Sequence, residues 1–332
     1  MSRVSVVIPC YRYAHFLPEC VASVLAQPGV DVQVLILDDA SPDDTPGVAA
    51  ALAAADSRVS YRRHATNLGH IATHSEGLAL ASGDYTVLLS ADDLLTPGSL
   101  ARAAGLLDAH PTVGFVYGGT VPFTSGQPRP PARTPVGRGR WRVTPGRAWF
   151  RAACQQAQTT LWSPEVMVRT SLQHELGGYR ADLPHTADQH TWLSLALRAD
   201  VGRIADADQA YYRLHPANMH KTLAPTRYHD LRYRQEAFEA IFQEYGERLA
   251  NAAALRREFT RGLARAALRA ASAVVSESDD GPRQAAELIA YARALDPHAY
   301  ATPEYLGLQL ARLGGRRFRP LLRSAHRRFF HS

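Results

Sequence analysis

Cysteine is scarce. The 332 residues hold three, Cys10, Cys20 and Cys154, with no CxxC pair and no histidine-rich spacing around them, which excludes a structural zinc site or a disulfide framework and makes a reducing cytoplasm the expected setting. Lysine is scarcer still: Lys221 is the only one among 37 basic residues, a skew that reflects coding bias more than chemistry. No run of roughly 18 apolar residues occurs. The apolar run Val4 to Ile8 that follows Met1 to Arg3 is too short for a signal peptide, so the sequence predicts a chain neither secreted nor membrane-spanning. Neither GxGxxG after the first strand nor GxxxxGK[ST] anywhere is present, so a nucleotide must be held without a dinucleotide fingerprint or a Walker-type loop.

What remains is an ordinary globular balance, 46% hydrophobic and 20% charged. The length suits one large α/β domain with an appendage. The net charge of +6 favours anionic partners such as nucleotides, phospholipid surfaces or nucleic acid and does not choose among them.

Over the first 117 residues short β-branched runs alternate with amphipathic stretches, the pattern of βαβ units around a mostly parallel sheet. Val4–Ile8, Val32–Leu37, Val59–Arg62, Tyr85–Leu89 and Val113–Tyr117 are predicted strands. Phe16, Cys20 and Val24 stand four apart beside Leu17, Val21 and Leu25, one apolar stripe of a helix; Val48–Ala55, Ile71–Ala81 and Pro97–Ala109 supply the next crossovers, the last with proline suited to a first turn. From Pro122 to Pro145 the chain is rich in Pro, Gly and Arg and predicts a mobile surface loop. Residues 146 to 220 return to mixed elements. From 226 on, Ala, Leu and Arg at helical spacing predict a helical appendage.

Ligands of open α/β sheets bind beyond the carboxyl ends of the strands, and three ends here carry chemistry. Strand one ends in Pro9, Cys10 and Tyr11, strand two in Asp38, Asp39, Ala40 and Ser41, strand four in Ser90, Ala91, Asp92 and Asp93. Tandem carboxylates suit a hard divalent cation that is also held by diphosphate oxygens. Asp39 can accept from a base N–H and Tyr11 can pack on the base, though alone Tyr11 reads equally as a core aromatic and an Asp pair as a helix cap.

The segments VSVVIPCYRYAHFLPECVASVLAQ, LILDDASPDDT, NLGH, SGDYTVLLSADDLLTPGSL and YRLHPAN occur in that order over about residues 3 to 220, and this part of the chain resembles the family 2 inverting glycosyltransferases. The resemblance implies an α/β fold of the GT-A type, a Rossmann-like mixed sheet flanked by helices. It divides the chain into a transferase domain over 1–222, with a nucleotide-binding half (1–117) and an acceptor half (118–222), ahead of the helical region 223–332. It also implies a nucleotide diphosphate sugar donor of the UDP type, with Pro9, Tyr11, Asp39 and Asn67 around the nucleotide, Asp92 at the ribose and Asp93 on Mn²⁺ or Mg²⁺. The family's first acidic position is Ser90 here, and its helix positions that often carry Arg and Asn hold His74 and Ser75.

GGYRADLPHTADQHTWLSLAL resembles the segment in which an acidic residue opens a helix near the acceptor, which gives Asp188 the role of general base; the bland alternative is a helix N-cap. The family's preceding Glu is Ala187 here. His215 in YRLHPAN matches a histidine that completes the metal or diphosphate site in some relatives. The tail from Arg316 to Arg328 interleaves arginines with Phe318, Leu321, Leu322 and Phe329, a pattern for peripheral contact with an anionic membrane and a lipid-linked or saccharide acceptor, or else an ordinary docked helix. No nucleic-acid recognition motif accompanies the charge. A nucleotidyltransferase and a degenerate nucleotide-sugar binder are the competing readings.

Overall fold

The computed structural model describes residues 1–135, 137, 139–219, 223–275 and 280–314. The basic tail lies outside them. The chain divides into two compact units: Met1–Phe150 with Thr160–Lys221, and Arg151–Thr159 with Thr222–Ser332.

The first unit is built on one mixed sheet. Its strands are β1 (Arg3–Cys10), β2 (Asp31–Asp38), β3 (Val59–Arg63), β4 (Tyr85–Leu88), β5 (Leu94–Leu95), β6 (Val113–Thr124), β7 (Trp141–Thr144), β8 (Met167–Arg169) and β9 (Asp200–Leu214). They run in the order β3-β2-β1-β4-β8-β6-β9-β5, with β7 beside β9. β3, β2, β1 and β4 are mutually parallel, and their crossovers are α1 (Leu17–Leu25), α2 (Thr45–Ala55) and α3 (His70–Leu80). Alternate residues of β1 face opposite sides: Val4, Val6 and Ile8 join the larger core with Leu17, Cys20, Val21 and Val24 of α1, while Val7 meets Leu37 and Leu78 on the other. This strand is therefore sealed on both faces, as a central parallel strand must be.

Beyond β4 the pairing turns antiparallel to β8, and β9 bonds parallel to β6 and antiparallel to β5 and β7. α4 (Ser99–Ala109), α5 (Gly146–Gln156), α6 (Thr170–Leu176) and α7 (Ala187–Ala196) connect these strands, with a 3-10 turn at Ser163–Glu165. The stretch predicted as a mobile loop departs from that expectation at both ends. Pro122–Thr124 continue β6 and Trp141–Thr144 form β7. Pro122 is tolerated because β6 pairs β8 only through Phe115 and Val116, so its missing N–H faces no partner there. Between the two strands the Arg133 guanidinium is 2.6 Å from Asp208, which also accepts its backbone N–H at 2.7 Å.

The second unit is helical: the end of α5 with α8 (Arg227–Tyr245), α9 (Ala252–Val274), α10 (Gly281–Leu295) and α11 (Pro303–Gly314). Phe238 stacks on Phe259 at 4.3 Å between centroids, and both are fully buried. α5 and α9 meet backbone to backbone at Gly262, where a Cβ would stand 2.4 Å from the Gln155 carbonyl. No helix among the described residues is long and apolar enough to cross a membrane.

Candidate active site at the carboxyl ends of the strands

β1, β2 and β4 end on the same edge because parallel strands share a direction, and the predicted polar residues gather there. Pro9 lies beyond the last β4 partner of β1, Val7, so its lack of an N–H breaks no ladder bond. Tyr11 follows, 42% exposed, on a turn where Arg12 adopts left-handed backbone, as Ala40 does on the turn after β2. The turns interlock: Ser41 Oγ accepts from Arg12 N at 3.1 Å, and Asp43 accepts from Ala14 N at 3.1 Å. Burial pushes the Cys10 thiol up to about 12, which leaves it inert as a nucleophile.

Asp39 is buried and anchors a loop. Its Oδ1 accepts from Leu68 N at 2.7 Å and its Oδ2 from Gly69 N at 2.9 Å, with His64 Nδ1 2.8 Å away. Burial raises its carboxyl, but these donors outweigh burial and hold it below the ordinary carboxylate value. Asn67 spends its amide on the Asp39 carbonyl and its oxygen on Gly69 N, so its side chain fastens the same loop. The far nitrogen of His64 is 3.1 Å from Glu76, which pairs with Arg62. His74, on the next turn of α3, is lowered to about 3 by burial and by His70. A neutral imidazole offers no charge to a diphosphate. Ser75 binds Ile71 and accepts from Tyr179 N, a packing role.

The second cluster joins the end of β4 to the end of β9. Asp92 Oδ2 is 2.9 Å from His215 Nε2 and accepts from Asn218 Nδ2 at 3.4 Å. Asp93 accepts the Arg213 backbone N–H at 2.9 Å. Its carboxyl is pushed well above the usual range, by burial first and by the charge of Asp92 second, against the pull of Arg213. The Arg213 guanidinium is itself engaged, on the Asp92 carbonyl at 2.7 Å and Glu19 at 2.6 Å, over the rings of Phe16 and Phe123. Tyr13 and Phe16 pack on His215 at 5.5 and 5.1 Å between ring centroids, which fixes the imidazole. Among the described residues no three His, Cys, Asp or Glu side chains form a ready cation cage.

Asp188 stands apart from this dyad, in the first turn of α7. The N-cap is Thr186, not Asp188. The Asp188 carboxylate accepts from Gln189 N at 2.6 Å and from Ser163 Oγ at 3.3 Å, and burial raises it above the ordinary value against these contacts and His185. Sequence reasoning missed Tyr212, Arg213 and Asn218, although all three lie inside YRLHPAN, and it missed Trp162 and Glu165, which no motif marks. The Tyr212 phenol is raised by burial and then by Asp93, Asp92, Tyr13 and Asp188, so it lies within the field of both clusters.

Residues 5–167 match the sequence family described as Glycosyl transferase family 2. An uncharacterized protein of Mycobacterium tuberculosis, MT1568, is 28% identical over 216 residues, 60% of this chain and 63% of its own length. The succinoglycan biosynthesis protein ExoO of Rhizobium meliloti is 34% identical over 106 residues, 32% of this chain and 30% of its own length. This chain thus spans less than two thirds of either relative. In fold it is similar to TarS 1-349 of S. aureus, solved with UDP-GlcNAc (TM-score 0.55, 17% identity, 94% of this chain and 92% of that one). It is likewise similar to the mannosyltransferase PcManGT of Pyrobaculum calidifontis, solved with GDP-Man and Mn²⁺ (TM-score 0.54, 22% identity, 94% and 86%). These two likenesses establish the GT-A fold.

Proposed function

We propose, from the match of residues 5–167 to glycosyl transferase family 2, that this chain moves a sugar from a nucleotide diphosphate donor to an acceptor hydroxyl with inversion. The observation that carries the reading is the convergence of Asp39, Asp92, Asp93 and His215 beyond the ends of strands of one sheet. The donor is sought among nucleoside diphosphate sugars, the UDP type first, since the fold neighbours were solved with UDP-GlcNAc and GDP-Man.

A divalent cation fits the residues present. Asp92 and Asp93 are buried neighbours, and burial first and the charge of Asp92 second raise Asp93, a penalty on its charged form that a cation would relieve. Carboxylate and imidazole are competent donors for Mn²⁺ or Mg²⁺, and such ions commonly take one or two carboxylates plus substrate phosphates rather than a full protein cage. Asp93 and His215 would hold the ion, with Asp92 at the ribose. Bound there, it would supply positive charge to the departing diphosphate.

Asp39 holds the Leu68–Gly69 loop beside the nucleotide, Tyr11 offers an exposed ring to the base, and Asp188 removes the proton of the attacking hydroxyl. Burial equips the last of these, because a raised carboxylate is a stronger base. One displacement from the face opposite the leaving group turns the anomeric carbon over once. We expect Asp188→Asn to keep donor affinity while transfer falls by about 10²–10⁴-fold, and Asp93→Ala to abolish metal-dependent donor binding. Calorimetry with and without chelator reads the second, and NMR of the product's anomeric centre reads inversion. Transfer by Asp188→Asn at the parental rate would remove the base assignment, and a retained configuration would remove the single displacement.

A further inference from the structure

Trp162 is 42% exposed, and few large apolar side chains of the described chain are as open. It is nevertheless held firmly. Its backbone N–H donates to Glu165 Oε1 at 3.1 Å, and the other oxygen of that buried glutamate accepts from Thr120 Oγ1 at 2.7 Å. Its ring meets Tyr212 at 4.2 Å between centroids, 68° between planes. The next residue, Ser163, donates to Asp188. Tyr212 in turn precedes Arg213, whose N–H is on Asp93. An aromatic pair, Trp162 exposed and Tyr212 half-buried, is thereby held between the carboxylate dyad and the residue assigned as base.

We propose that Trp162 and Tyr212 form the platform on which a sugar ring of the acceptor stacks, with its reacting hydroxyl toward Asp188. The proposal rests on the glycosyl-transfer reading above. An aromatic face covers the C–H face of a pyranose, while the carboxylate and hydroxyl at the rim suit the ring's hydroxyl groups. An acyl chain would gain nothing from that polar rim, so the occupant is a saccharide and not the lipid portion of a lipid-linked acceptor. Rigid placement matters because a hydroxyl must arrive aligned with the anomeric carbon, and the Glu165 contact removes freedom that binding would otherwise have to freeze.

The test uses the full chain with UDP and Mn²⁺ on an array of neutral and acidic oligosaccharides, beside Trp162→Ala and Trp162→Phe. We expect the parent to be retained by a subset of glycans, Trp162→Ala to weaken that retention by roughly tenfold, as loss of an aromatic contact allows, and Trp162→Phe to recover much of it. Nucleotide affinity and hydrolysis of donor by water should be alike in all three, which separates the platform from the donor site and from misfolding. Equal retention of parent and Trp162→Ala, or no retained glycan from a parent that hydrolyses donor, overturns the platform alone. A parent that neither binds nor hydrolyses any nucleotide sugar overturns the transfer reading and the platform with it.

Discussion

A buried carboxyl whose hydrogen-bond donors are a neutral hydroxyl and a backbone N–H is the sharpest residue-scale feature outside the donor cluster. Glu165 is raised from 4.5 to about 7, by burial first, against its bonds from Thr120 and Trp162 N. A carboxyl whose folded value exceeds its unfolded one contributes stability that is complete below the unfolded value and lost as pH rises through the folded value. Glu165→Gln removes the titration, and the Thr120 hydroxyl can turn to accept from the new amide. The parent should therefore lose stability between about pH 4.5 and 8 relative to the variant, by about 1–3 kcal/mol. Urea melts at both ends of that range check it, and parallel profiles would show that Glu165 is ionised throughout. Such a residue is invisible in the sequence, since WSPEVM carries no motif and only the fold buries it. Asp39, Asp92 and Asp93 stand out in the sequence because strand ends concentrate ligand chemistry, and His215 through the motif that carries the resemblance, whereas Tyr212 and Trp162 are drawn together by a turn and a strand far apart in sequence.

At the scale of elements, the parallel half was legible from β-branched runs and helical stripes. The antiparallel half was not, because Leu94–Leu95 and Met167–Arg169 are too short to show a period and β9, DVGRIADADQAYYRL, carries charges along its length. α3 illustrates what periodicity cannot convey. Its Gly77 faces β1 so closely that a Cβ would stand 2.3 Å from Val7 Cγ1 and 3.3 Å from Leu37 Cδ1. Val7 is fully buried and stiff at χ1, so it cannot yield. Gly77→Ala gains helix propensity of about 1 kcal/mol but overpacks at about 1–3 kcal/mol, a net loss of up to roughly 2 kcal/mol. The helix should also lift away from β1 and carry the Asn67–Gly69 loop with it, so donor affinity should fall although no ligand contact is changed. A stable Gly77→Ala protein with parental nucleotide affinity would mean that α3 can shift without cost.

At the scale of the whole molecule, the sequence divided the chain at residue 222, and the contacts draw Arg151–Thr159 into the helical unit as well. A single sequence hides this because the nonapeptide lies inside a stretch that otherwise belongs to the sheet. The consequence is specific. Arg151 pairs with Glu258 at 2.7 Å, Gln158 accepts from Arg234 at 2.6 Å, and the last carbonyls of α5 lie on Gly262. Ala153, Cys154 and Ala157 are buried, and burial raises the Cys154 thiol above its ordinary value. A chain ending at residue 221 keeps the donor cluster but strips this segment of α8 and α9, leaving an apolar strip and the open last turn of a helix in water. We expect it to melt lower than the full chain and to aggregate. Thiol labelling under native conditions gives the decisive reading, because Cys10, Cys20 and Cys154 are all buried in the full chain. The full chain should react slowly at every cysteine. The shortened chain should react quickly at Cys154 alone, since Cys10 and Cys20 belong to the sheet's own core. Slow labelling of Cys154 in a chain that ends at residue 221 would mean that the sheet unit covers the segment by itself, and the division into units would then have to be redrawn.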